Sequence, residues 1–167
     1  MCGIIGIISR EQVADRLVDA LKRLEYRGYD SAGVATLEDG ALTRLRAEGK
    51  LVNLAARLAD HPLKGTIGIG HTRWATHGAA TEANAHPHAT PRLAIVHNGI
   101  IENYRELRTE LEAEGIVFES QTDTEVIAHL LDAELQTQKT PLEAFKRVLD
   151  RLTGAYALAV LIDGEDD

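Results

Sequence analysis

The 167-residue chain predicts an α+β fold in which antiparallel sheets are layered against helices. Two observations carry the prediction. Apolar runs of strand length recur from one end of the chain to the other, and the helical patterns come in groups instead of alternating strictly with strands. Strict alternation is what a doubly wound parallel sheet would need, so that architecture is disfavoured.

The elements follow in order. Gly3 to Ile8 is an apolar run and reads as a strand, after which Ser9-Arg10-Glu11-Gln12 forms a capping-box pattern ahead of Val13, Leu17, Leu21 and Leu24 at helical spacing. A polar loop, Glu25 to Ser31, leads to Ala32–Leu37 and Ala41–Leu45, which flank the turn signal Glu38-Asp39-Gly40 as a hairpin would. Leu51, Leu54, Ala55 and Leu58 mark one face of a short helix, and Thr66 to His71 reads as a further strand. Arg73 to Pro91 lacks periodicity and is rich in Thr, His, Asn, Ala and Pro, the makeup of a long functional loop. The strand Leu93–His97 follows, with His97-Asn98-Gly99 closing it ahead of a helical pattern over Ile100–Glu112. Two more helices open with capping boxes at Thr122 to Glu125 and at Thr140 to Glu143, the second with proline at its first position. Tyr156 to Ile162 is the last apolar strand.

Composition narrows the function classes. The hydrophobic content of 44% suits one globular domain, residues 1–167. A single cysteine rules out an intramolecular disulfide framework. With no export signal and no long apolar segment, the expected setting is cytoplasmic, off the membrane. A net charge of −8 disfavours nucleic acid as a partner.

That one cysteine, Cys2, directly follows Met1. Once Met1 is removed, Cys2 carries both a thiol and an α-amine that can act as a base near neutrality, a nucleophile and base on one residue. Other segments carry chemistry of their own. Arg27-Gly28-Tyr29-Asp30-Ser31-Ala32-Gly33 packs a cation, a phenol and a carboxylate between helix and strand. Arg73 beside Trp74, the only tryptophan, pairs a fork suited to a carboxylate with a ring able to exclude water above it. Asn98-Gly99 has the makeup of an oxyanion hole, and Asp123 in a first helical turn can face an ammonium group. The seven histidines match no metal-ligand spacing, so neither a metal nor another cofactor is expected. Gly65 to Gly70 precedes no helix and is not a dinucleotide site.

Taken in order, Cys2-Gly3-Ile4, Leu24 to Gly33, Gly70 to Gly78, Asn84-Ala85-His86-Pro87-His88, His97 to Asn103 and Thr122 to Glu125 closely resemble the glutaminase domain of the isomerising glutamine:fructose-6-phosphate aminotransferases, the glucosamine-6-phosphate synthases. These belong to the N-terminal-nucleophile (class II) glutamine amidotransferases. The purine-synthesis amidotransferase is the nearest rival, but Tyr29, Trp74-Ala75-Thr76-His77 and Ile100-Ile101-Glu102 look like the aminosugar enzyme. The resemblance implies a four-layer αββα sandwich of two antiparallel sheets between helices. It also implies that Cys2 hydrolyses the side-chain amide of L-glutamine through a glutamyl thioester.

By the same resemblance Asn98 and Gly99 would hold the oxyanion, Arg73 the glutamine carboxylate and Asp123 its ammonium. Thr76 and His77 would line the pocket, Trp74 would sit on a closing loop, and Arg27 would orient Cys2. The family's domain continues with further strands and is followed by sugar isomerase domains, so this chain is expected to lack those strands and the fructose-6-phosphate site. The alternative from another class is a non-catalytic module that binds glutamine or a partner.

Overall fold

The computed structural model describes residues 2–75, 78–138 and 140–164, with the side chain of Arg27 also outside the description. Seven strands form two antiparallel sheets. β1 (Gly3–Ile8), β4 (Ile67–Arg73), β2 (Ser31–Glu38) and β3 (Ala41–Glu48) lie side by side in that order; β5 (His88–Ala89), β6 (Leu93–Ile101) and β7 (Gly154–Ile162) form the second sheet. β2 and β3 meet through the two-residue turn Asp39-Gly40, both with positive φ, which suits the twist of a tight hairpin.

Helices cover the outer faces. α1 (Ala14–Lys22) and α2 (Leu51–Asp60) pack Leu17, Leu21, Leu51 and Leu54 with Val34 of β2. Gly68 and Gly70 of β4 lie under Leu17 and Leu21, where a side chain would crowd the helix. That packing explains the glycine run that led nowhere as a nucleotide motif. On the opposite side, α3 (Tyr104–Ala113), α4 (Asp123–Thr137) and α5 (Pro141–Arg151) bury Leu107, Ile127, Leu131 and Val148 against Leu93 and Ile95 of β6. Between the sheets lies a third core of Ala35, Ile69, Ala94, Val96 and Leu161. Helix, sheet, sheet, helix is the four-layer αββα sandwich. Among the described residues no helix is long and apolar enough to cross a membrane.

Four local expectations are corrected. The Ser9 capping box does not form: Ser9 Oγ accepts instead from Glu11 N at 3.2 Å and from Arg16 at 2.8 Å, and α1 starts later, where Val13 N donates to Gly65 O at 3.0 Å. His97-Asn98-Gly99 does not end its strand. β6 continues to Ile101 because β7 pairs with it to the end, Asn98 opposite Ala157 and Ile101 opposite Gly154, so α3 begins only at Tyr104. The loop after Arg73 contains β5, which pairs His88 with Ile95 of β6. The loop from Glu25 holds one turn of 3₁₀ helix, Glu25–Arg27.

Candidate active site

Cys2 enters β1 at the end of the first sheet, half-buried. Its Sγ accepts from Trp74 N at 3.1 Å, and Trp74 O lies 3.5 Å from the same sulfur. Trp74 directly follows Arg73, whose neighbour Thr72 pairs with Gly3. Strand pairing alone therefore brings the two segments together. From the second sheet Asn98 crosses the interface, and its Nδ2 donates to Cys2 O at 3.3 Å. A carboxamide donor on one sheet thus reaches the backbone of the thiol-bearing residue on the other.

Gly99, next along β6, has φ +125, and a Cβ there would fall 2.2 Å from Ala155 O on β7. No other residue keeps this backbone and this strand pairing together. Gly99 is also exposed, so its backbone is open to an incoming group.

Arg73 is buried. Its guanidinium donates to Asp30 at 3.3 Å, to Ala79 O at 3.0 Å and to Gly78 O at 3.3 Å. Asp30 is the hub of this corner. Its carboxylate accepts from Ser31 Oγ and from Ala75 N, and its own N–H donates to Arg73 O at 2.7 Å. It holds the start of β2 and the segment after β4 together, a role that its place in the Arg27–Gly33 motif did not disclose.

Trp74 is 54% exposed, and its ring lies on Gly28, where a Cβ would come within 2.4 Å of a ring carbon. Tyr29, Asp30, Trp74 and Ala75 line a cleft of about 260 Å³. Tyr29 donates to the Glu25 carboxylate and accepts from Leu51 N at 2.8 Å. Burial and the Glu25 partner push the phenol up to about 12, so it stays protonated.

Asp123 opens α4 and is buried; its Oδ2 accepts from Ile101 N at 3.0 Å and its Oδ1 lies 3.7 Å from His97 Nδ1. The carboxylate is thereby tied to the end of the strand that carries Asn98 and Gly99. Thr122 caps α4 by accepting from Glu125 N at 3.4 Å. Glu125 does not complete the box. It turns back to accept from Glu119 N and Ser120 N.

Four histidines, His71, His86, His88 and His97, are buried around α4's start. His86 and His97 meet the Thr124 hydroxyl at 2.7 and 2.9 Å, and His88 meets Thr122 at 2.9 Å. Burial lowers His71 to about 4 and His88 to about 3, and drives His86 well below its ordinary value, so these rings are neutral near pH 7. Among the described residues no three His, Cys, Asp or Glu side chains are grouped to hold a metal ion.

The structure thus brings together Cys2, Trp74, Asn98 and Gly99, and places Arg73 and Asp123 on flanking elements. Thr76, His77, Met1 and the Arg27 side chain lie outside the described residues. Asp30 and His71 are the residues that sequence reasoning missed.

Residues 71–167 match a family described as glutamine amidotransferase domain. Over all of its 167 residues the chain is 66% identical to the isomerizing glutamine–fructose-6-phosphate aminotransferase of Brucella suis biovar 1 and 64% identical to that of Mesorhizobium japonicum, and it spans 28% of the length of each. Among solved structures, glutamine phosphoribosylpyrophosphate amidotransferase from B. subtilis, complexed with ADP and GMP, superposes with a TM-score of 0.83 at 29% identity, over 97% of this chain and 35% of that one. Sequence and fold agree with the geometry at Cys2, and this chain belongs to the glutamine amidotransferase domain family.

Proposed function

We propose that this chain is the glutaminase part of an isomerising glutamine–fructose-6-phosphate aminotransferase. Cys2, freed of Met1, is the nucleophile, and its own α-amine is the base that takes the thiol proton. The thiolate adds to the side-chain amide carbon of L-glutamine. Asn98 Nδ2 and the Gly99 N–H hold the negative oxygen that forms, a contribution of roughly 100- to 1000-fold per donor. The amine returns the proton to the leaving nitrogen, ammonia departs, and water hydrolyses the glutamyl thioester to glutamate.

Arg73 faces the substrate carboxylate and Asp123 its ammonium. Trp74, Thr76 and His77 enclose the pocket, and Arg27 orients the cysteine. Sugar isomerase domains in the whole protein receive the ammonia and deliver it to fructose-6-phosphate, giving glucosamine-6-phosphate in a cytoplasm that keeps Cys2 reduced. The high identity to the Brucella and Mesorhizobium proteins favours this substrate over the phosphoribosyl acceptor of the more distant structural relative.

The observation that carries the reading is the approach of the Asn98 carboxamide to Cys2 across the two sheets. Ammonia release from glutamine tests it. The expected result is release that Cys2→Ala abolishes and a chelator leaves intact. Glutamine binding without release, unchanged by Cys2→Ala, would instead mark a non-catalytic module.

A further inference from the structure

His71 sits in β4, buried, two residues before Arg73, and nothing in the proposed chemistry uses it. Its side chain points across the interface into the second sheet. There Nε2 lies 3.0 Å from His97 O and 2.8 Å from Asn98 Oδ1. A backbone carbonyl only accepts, so Nε2 must carry the ring's proton, and one N–H then serves both oxygens. A bare Nε2 would set its lone pair against that carbonyl at a fully buried position.

This choice of tautomer decides which way Asn98 faces. A carboxamide has an acceptor end and a donor end, and rotation by half a turn exchanges them. With its Oδ1 claimed by His71, the donor end Nδ2 is left toward Cys2, where it bonds Cys2 O at 3.3 Å. The reverse orientation would set an N–H against the His71 N–H and present an oxygen to the developing oxyanion.

We infer that His71 is a positioning residue for the glutaminase step, holding the Asn98 carboxamide with its N–H side toward the reacting thiol. The inference rests on the proposed role of Asn98 as an oxyanion donor. A neutral ring suits this role, because His71 Nδ1 is buried and makes no hydrogen bond among the described residues, and a second proton there would be an unsatisfied buried donor.

Two variants and one spectroscopic measurement test it. His71→Leu removes the N–H, and His71→Gln returns an amide N–H near the position of Nε2. For ammonia release His71→Leu is expected to lower kcat by roughly 100-fold, the size of one lost oxyanion donor, with KM for glutamine little changed. Affinity for a γ-aldehyde analogue of glutamine, which forms a tetrahedral hemithioacetal with Cys2, should fall by a similar factor. Alkylation of Cys2 by iodoacetamide builds no oxyanion and should keep its rate. His71→Gln should recover much of kcat. An unchanged kcat in His71→Leu would overturn the inference, as would a loss in which kcat, KM and alkylation move together without rescue by Gln.

Long-range nitrogen–proton NMR of the ring decides the tautomer independently of activity. A proton on Nε2 is expected, and a proton on Nδ1 overturns the inference. A wild-type chain that keeps the Nε2 proton yet releases no ammonia would remove the proposed glutaminase function while leaving the orientation of Asn98 in place.

Discussion

The space between the two sheets is apolar at one end and polar at the other, and the same strands build both. On β4 alternate residues facing the second sheet run Ile67, Ile69, His71, Arg73; on β6 they run Ala94, Val96, Asn98. At the apolar end Ile69, Val96 and Leu161 close on each other with no polar side chain in the cluster. At the other end His71 and Asn98 are joined by a hydrogen bond, each also bonds a backbone carbonyl, and the His71 ring stacks on His86 with centroids 4.2 Å apart. The sandwich thus uses one interface for two purposes. Its apolar half sets the spacing of the sheets, and its polar half uses that spacing to bring a carboxamide donor onto the Cys2 backbone.

Several experiments would break or sharpen this contrast. The largest effect belongs to Asn98→Ala at the polar end. It should lower kcat for ammonia release by roughly 100- to 1000-fold while the thermal midpoint moves little, since Asn98 is only half-buried. A fall in stability that matches the fall in activity would show that the two ends are not separable.

Val96→Ala at the apolar end should do the opposite. Removing two methyl groups from a fully buried site is expected to cost about 2 kcal/mol in urea unfolding. The glutaminase kcat of the folded fraction should hold.

Acidification should also separate the ends. Histidines in the unfolded chain take up protons below about pH 6.5, whereas His71 and His88 resist protonation until about 4 and 3 in the folded state. Stability is therefore fully present above pH 6.5 and falls as pH drops below it, by at most about 1.4 kcal/mol per pH unit for each histidine. Glu125, where burial that would raise it is outweighed by His129 and by hydrogen bonds from Ser120 and Glu119, is held at about 2 against an ordinary 4.5 and adds a further loss as pH falls below 4.5. The loss from Val96→Ala should be the same at pH 7 and pH 5, because nothing in its cluster titrates.

The smallest effect is expected at Gly28→Ala, whose Cβ would displace the Trp74 ring. KM for glutamine should rise a few-fold, an energy of about 1 kcal/mol, with kcat retained. An unchanged KM would separate Trp74 from the glutamine pocket.

Much of this arrangement was legible in local pattern. β1 spans Gly3–Ile8 as its apolar run predicts, and the Thr140 cap forms, with its hydroxyl accepting from Glu143 N at 3.2 Å. Cys2, Asn98 and Gly99 stood out because their residue types are those that the proposed chemistry needs. What stayed hidden depends on partners distant in sequence. Ile100 and Ile101 fit a helical repeat with Tyr104 and Leu107, and only β7, more than fifty residues on, makes them strand. Ser9 looks like a cap until Gly65 claims the start of the helix. His71 reads as one histidine among seven until the second sheet brings Asn98 against it.

The central claim is that Cys2 is an activated nucleophile in an assembled glutamine pocket. Intact mass of the purified chain, before and after exposure to a glutamine-mimicking electrophile, tests it in one spectrum. The account predicts a chain without Met1 that gains a single adduct on Cys2, blocked by excess glutamine. No adduct on a chain that has lost Met1, or an adduct that persists in Cys2→Ala, would contradict it.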